Sequence, residues 1–239
     1  MSLSIVIPVW NNYDELNKCL ASIAGQTILD WIKFPVEVIV VDDGSTDTEN
    51  IKFFKNLIGR IQFHKVKHGG APVARNFGFE QSTGELIFFC DSDVVFTAKD
   101  SLEKFIKTLR ENKDRAYVYS SFRFGFKKMK CLDFDTELLR KNNFISTMSL
   151  IRRNALLKLE KPNNPFDESL QKFQDWDLWL SLFEKGEKGV GITEVLWRAS
   201  GGTMSKWRPK IFYKIFKNNI KIKNFAKDQQ IVQKKHHLL

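Results

Sequence analysis

Leu3-Ser4-Ile5-Val6-Ile7-Pro8-Val9 is a short apolar, β-branched run closed by Pro8 and the pair Asn11-Asn12, and behind it Leu16, Leu20 and Ile23 fall at helical spacing. The reading is a strand followed by a helix. The alternation returns three times: an apolar run at 36–41 precedes a helix over 46–57, one at 61–66 precedes 71–81, and one at 86–90 precedes 99–111. Four strand–helix units within about 110 residues predict an α/β fold, a largely parallel sheet with helices on both faces.

Open sheets of this kind bind ligands outside the carboxyl ends of their strands. The residues there are acidic and turn-forming: Pro8-Val9-Trp10-Asn11-Asn12, then Asp42-Asp43-Gly44-Ser45-Thr46-Asp47, then Asp91-Ser92-Asp93. Asp91 and Asp93 at one strand tip suit a hard divalent ion, Mg²⁺ or Mn²⁺, that also holds diphosphate oxygens. Taken alone they serve equally as caps for the next helix, but three acidic strand tips around an empty cleft would repel one another. Asp43 either accepts hydrogen bonds from a base or ribose or simply closes a strand–turn–helix connection. Trp10 offers a stacking face beside it.

Gly69-Gly70-Ala71-Pro72-Val73-Ala74-Arg75-Asn76 is a turn entering a helix. It lacks both the GK[ST] ending of a P-loop and the GxGxxG dinucleotide turn. Arg75 either reaches a nucleotide or bridges the acids. Further on, Asp175 in Gln174-Asp175-Trp176-Asp177 opens an amphipathic helix over 175–185, as an N-cap or as a general base for a hydroxyl nucleophile. Strands are expected at 117–124, 146–151 and 190–197, with a loop at Asn163-Asn164-Pro165.

Taken in order across residues 4–205, these elements resemble the family 2 glycosyltransferases with their GT-A fold. The resemblance rests on Ser4-Ile5-Val6-Ile7-Pro8-Val9-Trp10-Asn11, Val41-Asp42-Asp43-Gly44-Ser45-Thr46-Asp47, Ala74-Arg75-Asn76, Gly84-Glu85-Leu86-Ile87 with Asp91-Ser92-Asp93, Phe166-Asp167-Glu168 and Gln174-Asp175-Trp176-Asp177. It implies an inverting, metal-dependent transfer of a sugar from a nucleotide-diphosphate donor to an acceptor hydroxyl, in cell-surface polysaccharide or glycoconjugate synthesis. Pro8, Trp10, Asp43, Arg75 and Asp91 would then bind the nucleotide, Asp91 contacting ribose or sugar. Asp93, with Asp91 as a possible second ligand, would hold Mn²⁺ or Mg²⁺, and Asp175 would be the catalytic base. Two positions depart from the family pattern: Gln174 stands where relatives usually carry Glu, and Ser200-Gly201 where many carry His. A nucleotidyltransferase is the alternative enzyme class, yet it would place a Gly-rich basic loop directly after the first strand. A non-catalytic sugar-nucleotide or carbohydrate-binding module is the other.

Residues 1–205 are expected to form the transferase domain, donor side about 1–115 and acceptor side about 116–205, followed by a basic extension over 206–239. Net charge is +10, and 206–239 carry ten Lys and Arg against one Asp, leaving 28 basic against 27 acidic residues before them. In that tail Trp207, Ile211 and Ile215 lie beside Phe212, Phe216 and Ile220 on one helical face. Such a helix either touches an anionic membrane or packs its apolar side on the body or a second subunit. Without an RRM, KH or zinc-finger pattern, nucleic acid is not the expected partner. Cys19, Cys90 and Cys131 show no CxxC spacing, and neither a signal peptide nor a membrane-spanning run is read, so a cytoplasmic protein, peripheral on the membrane's inner face at most, is expected. The acceptor, a saccharide or a lipid-linked sugar, carries no decodable motif.

Overall fold

The computed structural model describes residues 1–30, 34–46, 52, 54–199 and 220–238, with 220–224 as backbone only. Its first half runs β1 (Leu3–Val9), α1 (Tyr13–Ala24), β2 (Val36–Asp42), β3 (Ile61–Lys65), α2 (Ala71–Gln81), β4 (Leu86–Phe89), β5 (Val94–Phe96) and α3 (Ser101–Glu111). The second half runs β6 (Tyr117–Phe124), β7 (Lys127–Met129), α4 (Thr136–Lys141), β8 (Leu150–Arg152), α5 (Arg153–Leu156), α6 (Gln174–Glu184), β9 (Gly189–Ala199) and α7 (Ile220–Lys235).

All strands join one sheet in the order β3-β2-β1-β4-β8-β6-β9-β5, with β7 paired to β6. Strands β3, β2, β1 and β4 are mutually parallel, as their strand–helix connections require. The far half departs from the expected parallel pattern: β8 runs antiparallel to β4 and β6, and β5 antiparallel to β9. The sheet is thus mixed.

Side chains on β1 alternate between the faces. Leu3, Ile5 and Ile7 join the cluster containing Leu16 and Leu20 of α1 and Leu102 and Phe105 of α3. Val6 joins the opposite cluster, built on Tyr117, Trp176 and Trp179. Helix α2 lies close on β1 and β2, because a Cβ at Gly78 would collide with the Val6 side chain. Such an approach needs glycine. Cys19 and Cys90 are buried with their sulfurs 3.6 Å apart, as thiols, and Cys131 is half-buried.

Several local expectations change. The strand predicted at 146–151 begins only at Leu150, because Ser149 N–H bonds Thr147 O and Ser149 Oγ bonds Ser146 O in a turn. Half of the helix predicted over 46–57 falls outside the described residues, whose part of it holds one 3₁₀ turn at Lys55–Leu57. Strands β5 and β7 and helices α4 and α5 were not expected; each is six residues or fewer, too short to show a periodicity. The apolar tail face at 207–220 lies outside the described side chains.

Candidate functional site

The carboxyl ends of β1, β2 and β4 and the start of α6 surround a pocket of about 410 Å³. Its wall includes Pro8, Trp10, Asp43, Arg75, Asp91, Asp93 and Asp175, so every sequence-predicted site residue reaches one cavity. Residues as distant in sequence as Pro8 and Asp175 meet because β1 lies inside the sheet, between β2 and β4, and the start of α6 lies at the same strand tips.

Asp42, Asp43 and Asp91 each have partners of their own, so the repulsion that an empty cleft would impose is relieved within the protein at these three. Asp42 is buried and accepts from Tyr13 Oη at 2.9 Å and Ser45 N at 2.8 Å. Burial alone would raise its pKa, but these hydrogen bonds and the Lys65 charge outweigh that and hold it below the usual carboxylate value. Asp43 accepts from the backbone N–H groups of Gly69 at 2.8 Å and Gly70 at 2.9 Å, while His68 Nδ1 lies 2.9 Å from Oδ2. Gly44 (φ +68°) makes this possible, since a Cβ there would come within 2.7 Å of His68 N. Asp91 accepts from Arg75 Nη2 at 2.7 Å, and Arg75 Nη1 donates to Gln174 at 2.8 Å. Arg75 therefore does bridge the strand tip to α6 while also lining the pocket. Its Nε is buried with no hydrogen-bond partner among the described residues, so the guanidinium retains donor capacity.

Trp10 is half exposed (51%) at the pocket rim, and the His68 ring stacks on it with centroids 4.8 Å apart and planes 20° from parallel. His68 was missed at the sequence level; its place before Gly69-Gly70 was the available signal. Asn76 fastens the neighbouring wall, donating to Phe166 O and Glu168 and accepting from Phe166 N, all at 2.9–3.0 Å. That bond set links two of the sequence motifs directly.

Asp175 stands in the first turn of α6 and lines the pocket. Burial pushes its carboxyl above the ordinary aspartate value, against hydrogen bonds from Asn143 and Trp176 N and the Arg75 charge. A carboxylate with raised basicity facing a cleft is suited to accepting a proton. Asp91 and Asp93 line the same cavity, and two carboxylates are a donor pair that a hard divalent ion bound with diphosphate oxygens could use. The donor set fits on condition that the ligand completes it, because no cluster of three or more His, Cys, Asp or Glu able to hold a metal occurs among the described residues. The position where relatives carry His, 200–201, lies outside them.

The Glycosyl transferase family 2 profile matches residues 4–159, and the chain belongs to that family. An uncharacterised glycosyltransferase of Rickettsia conorii is 30% identical over 209 residues, covering 84% of this chain and 33% of that protein. The chain thus spans about a third of the first relatives it matches. One from Haemophilus influenzae is 31% identical over 79% of this chain and 74% of its own length. Among solved structures, Staphylococcus aureus TarS in complex with UDP-GlcNAc superposes with a TM-score of 0.65 at 19% identity, over 90% of this chain and 64% of that one. The mannosyltransferase PcManGT of Pyrobaculum calidifontis, in complex with GDP-Man and Mn²⁺, gives 0.63 at 16%, over 99% and 69%. These likenesses establish the GT-A fold.

Proposed function

We propose that the chain is an inverting glycosyltransferase that takes a sugar from a nucleoside-diphosphate donor to an acceptor hydroxyl. The observation that carries this is the convergence of Trp10, Asp43, Arg75, Asp91, Asp93 and a basic Asp175 on one pocket. Trp10 and Asp43 face the base, Arg75 and Asp91 the ribose and diphosphate, and Asp93, with Asp91, a Mn²⁺ or Mg²⁺ ion. That ion, when bound, stabilises charge on the leaving phosphate. Asp175 takes the proton from the acceptor hydroxyl as its oxygen bonds to the anomeric carbon. The bond from that carbon to the phosphate oxygen breaks and the nucleoside diphosphate departs. A single in-line displacement inverts configuration.

TarS and PcManGT hold UDP-GlcNAc and GDP-Man respectively, which makes these the first donors to try. The decisive experiment is a thermal-shift screen of nucleotide sugars with and without Mn²⁺, followed by donor turnover. No stabilisation by any nucleotide would overturn the reading. A polysaccharide or lipid-linked acceptor at an anionic membrane fits a second observation. The β6–β7 hairpin turns at Gly125-Phe126, where Phe126 is wholly exposed (103%) among exposed Arg123, Lys127, Lys128 and Lys130. No helix among the described residues is long and apolar enough to cross a membrane. The contact in this reading is made by the exposed hairpin.

A further inference from the structure

The segment that delivers Asp175 to the pocket is gripped from the far end of the chain. Gln171 and Lys172 are consecutive residues on the pocket wall, and their backbone N–H groups converge on a single oxygen, Asp228 Oδ2 of α7, at 3.0 and 2.8 Å. Two successive N–H groups pointing one way form a concavity that takes an anion. Here the anion is a buried side chain of the C-terminal helix.

One turn earlier on α7, Phe225 meets Phe173 edge-on at 4.6 Å and lines the pocket itself. Phe173 has left-handed backbone (φ +59°, ψ +20°), a conformation that side-chain-bearing residues adopt sparingly. It lets the chain reverse into α6 so that Asp175, two residues on, points into the cavity. The bend is held from inside by Gln174 Nε2 on Leu170 O at 2.9 Å. The same face of α7 continues with Val232, fully buried, and then Lys235 and His236, 2.8 and 2.9 Å from the buried Asp177 of α6. Residues 225, 228, 232 and 235–236 recur at helical spacing, so from Phe225 onward α7 is docked on α6 and on the segment that leads into it.

We propose that Asp228 is a positioning residue for transfer: by filling the Gln171–Lys172 concavity it fixes the bend that aims Asp175, and α7 is thereby a working part of the active site. The inference rests on the glycosyltransferase reading for its kinetic consequence and on geometry alone for the clamp. Both hydrogen bonds end on one oxygen, so an amide oxygen can replace it, whereas alanine cannot.

The test compares Asp228→Ala and Asp228→Asn with the full-length protein, well below every melting temperature. UDP-GlcNAc and GDP-mannose hydrolysis give turnover, UDP and GDP binding give donor affinity, and hydrogen exchange reports amides 171 and 172. Expected is at least a tenfold fall in kcat for Asp228→Ala with nucleotide affinity within about threefold, faster exchange at 171–172, and restoration of both by Asp228→Asn. Wild-type turnover in Asp228→Ala, or equal losses in both variants that follow their melting temperatures, would overturn the proposal. A wild-type protein that no nucleotide stabilises sinks the glycosyltransferase reading instead. In that case unchanged exchange in Asp228→Ala refutes the clamp, and accelerated exchange upholds it.

Discussion

Arg75 donates to Asp91 across 2.7 Å and, with its other amino group, to the neutral side chain of Gln174. A Glu at this position would surround the guanidinium with two carboxylates, whereas here one of its two hydrogen-bond partners is neutral and its Nε is left without one among the described residues. Gln174→Glu should therefore weaken nucleoside-diphosphate binding several-fold. It should also raise the already elevated pKa of Asp175 further, since a like charge disfavours ionisation. Calorimetry with UDP and a pH–rate profile read the two effects. Unchanged affinity together with an unmoved acidic limb would show that Arg75 does not face the diphosphate.

Asp175→Asn should leave donor binding near normal while lowering turnover at least about 10²-fold, the usual cost of losing a general base. For the wild type, burial raises the Asp175 pKa, so activity should rise with pH through an inflection above the ordinary aspartate value of about 3.9. The sign follows from the need for the ionised form. An asparagine variant that retained turnover would remove Asp175 from the role.

Chelation should abolish transfer, and Asp93→Ala should weaken UDP binding more than uridine binding, because a metal held there meets phosphates rather than the base. Full activity in excess EDTA would exclude the metal reading. Trp10→Ala, by contrast, should weaken uridine and UDP alike, about tenfold, since stacking on one aromatic face contributes about 1–3 kcal/mol.

How much of this was legible beforehand depends on range. The strand–helix units of β1, β2, β3 and β4 could be read because their periodicities are local, and the strand-tip acids because topology fixes where tips lie. What escaped was the pairing of those acids: Asp43 with Gly69 and Gly70, or Asn76 with Phe166 and Glu168, depends on backbone N–H directions and on contacts 26 to 92 residues apart. In the far half β6 and β9 lie where strands were expected, and what escaped was its antiparallel pairing and the three-residue β5, which are defined by their neighbours. For the basic tail two readings stood open, a membrane surface or packing on the body, and its described part takes the second. Its charge pattern suggested a surface, yet Asp228, Val232, Lys235 and His236 dock it on α6, through partners invisible to a count of lysines.

That docking should depend on pH. Burial alone would lower the His236 pKa, but hydrogen bonds and charge from Asp177 and Glu184 outweigh it and hold the imidazole above its ordinary value. A group with a raised native pKa contributes stability that is full below its unfolded pKa, about 6.5, and is lost as pH rises through the native value. The wild type should accordingly melt several degrees above His236→Gln near pH 6, with the gap narrowing from pH 6.5 upward. A gap constant from pH 6 to 9 would mean that His236 acts as a neutral hydrogen-bonding group.

The exposed hairpin gives the last expectation. Charged residues on the short edge strand β7 have an adequate explanation in protecting an unpaired edge, but that does not account for Phe126 at the apex or for exposed Met129 beside it. An aromatic tip ringed by cations is the composition of interfacial anchors, and each Lys or Arg near an anionic surface contributes about 1 kcal/mol. The wild type should bind vesicles containing phosphatidylserine at low salt and be released as salt screens the charges. Phe126→Ser with Lys127→Gln and Lys128→Gln should lower that binding about tenfold or more while leaving the melting temperature and UDP affinity unchanged, because these side chains are solvent-exposed. Binding to neutral vesicles as strong as to anionic ones, or a triple variant that binds as the wild type does, would place the acceptor away from a membrane and return the hairpin to a protected sheet edge.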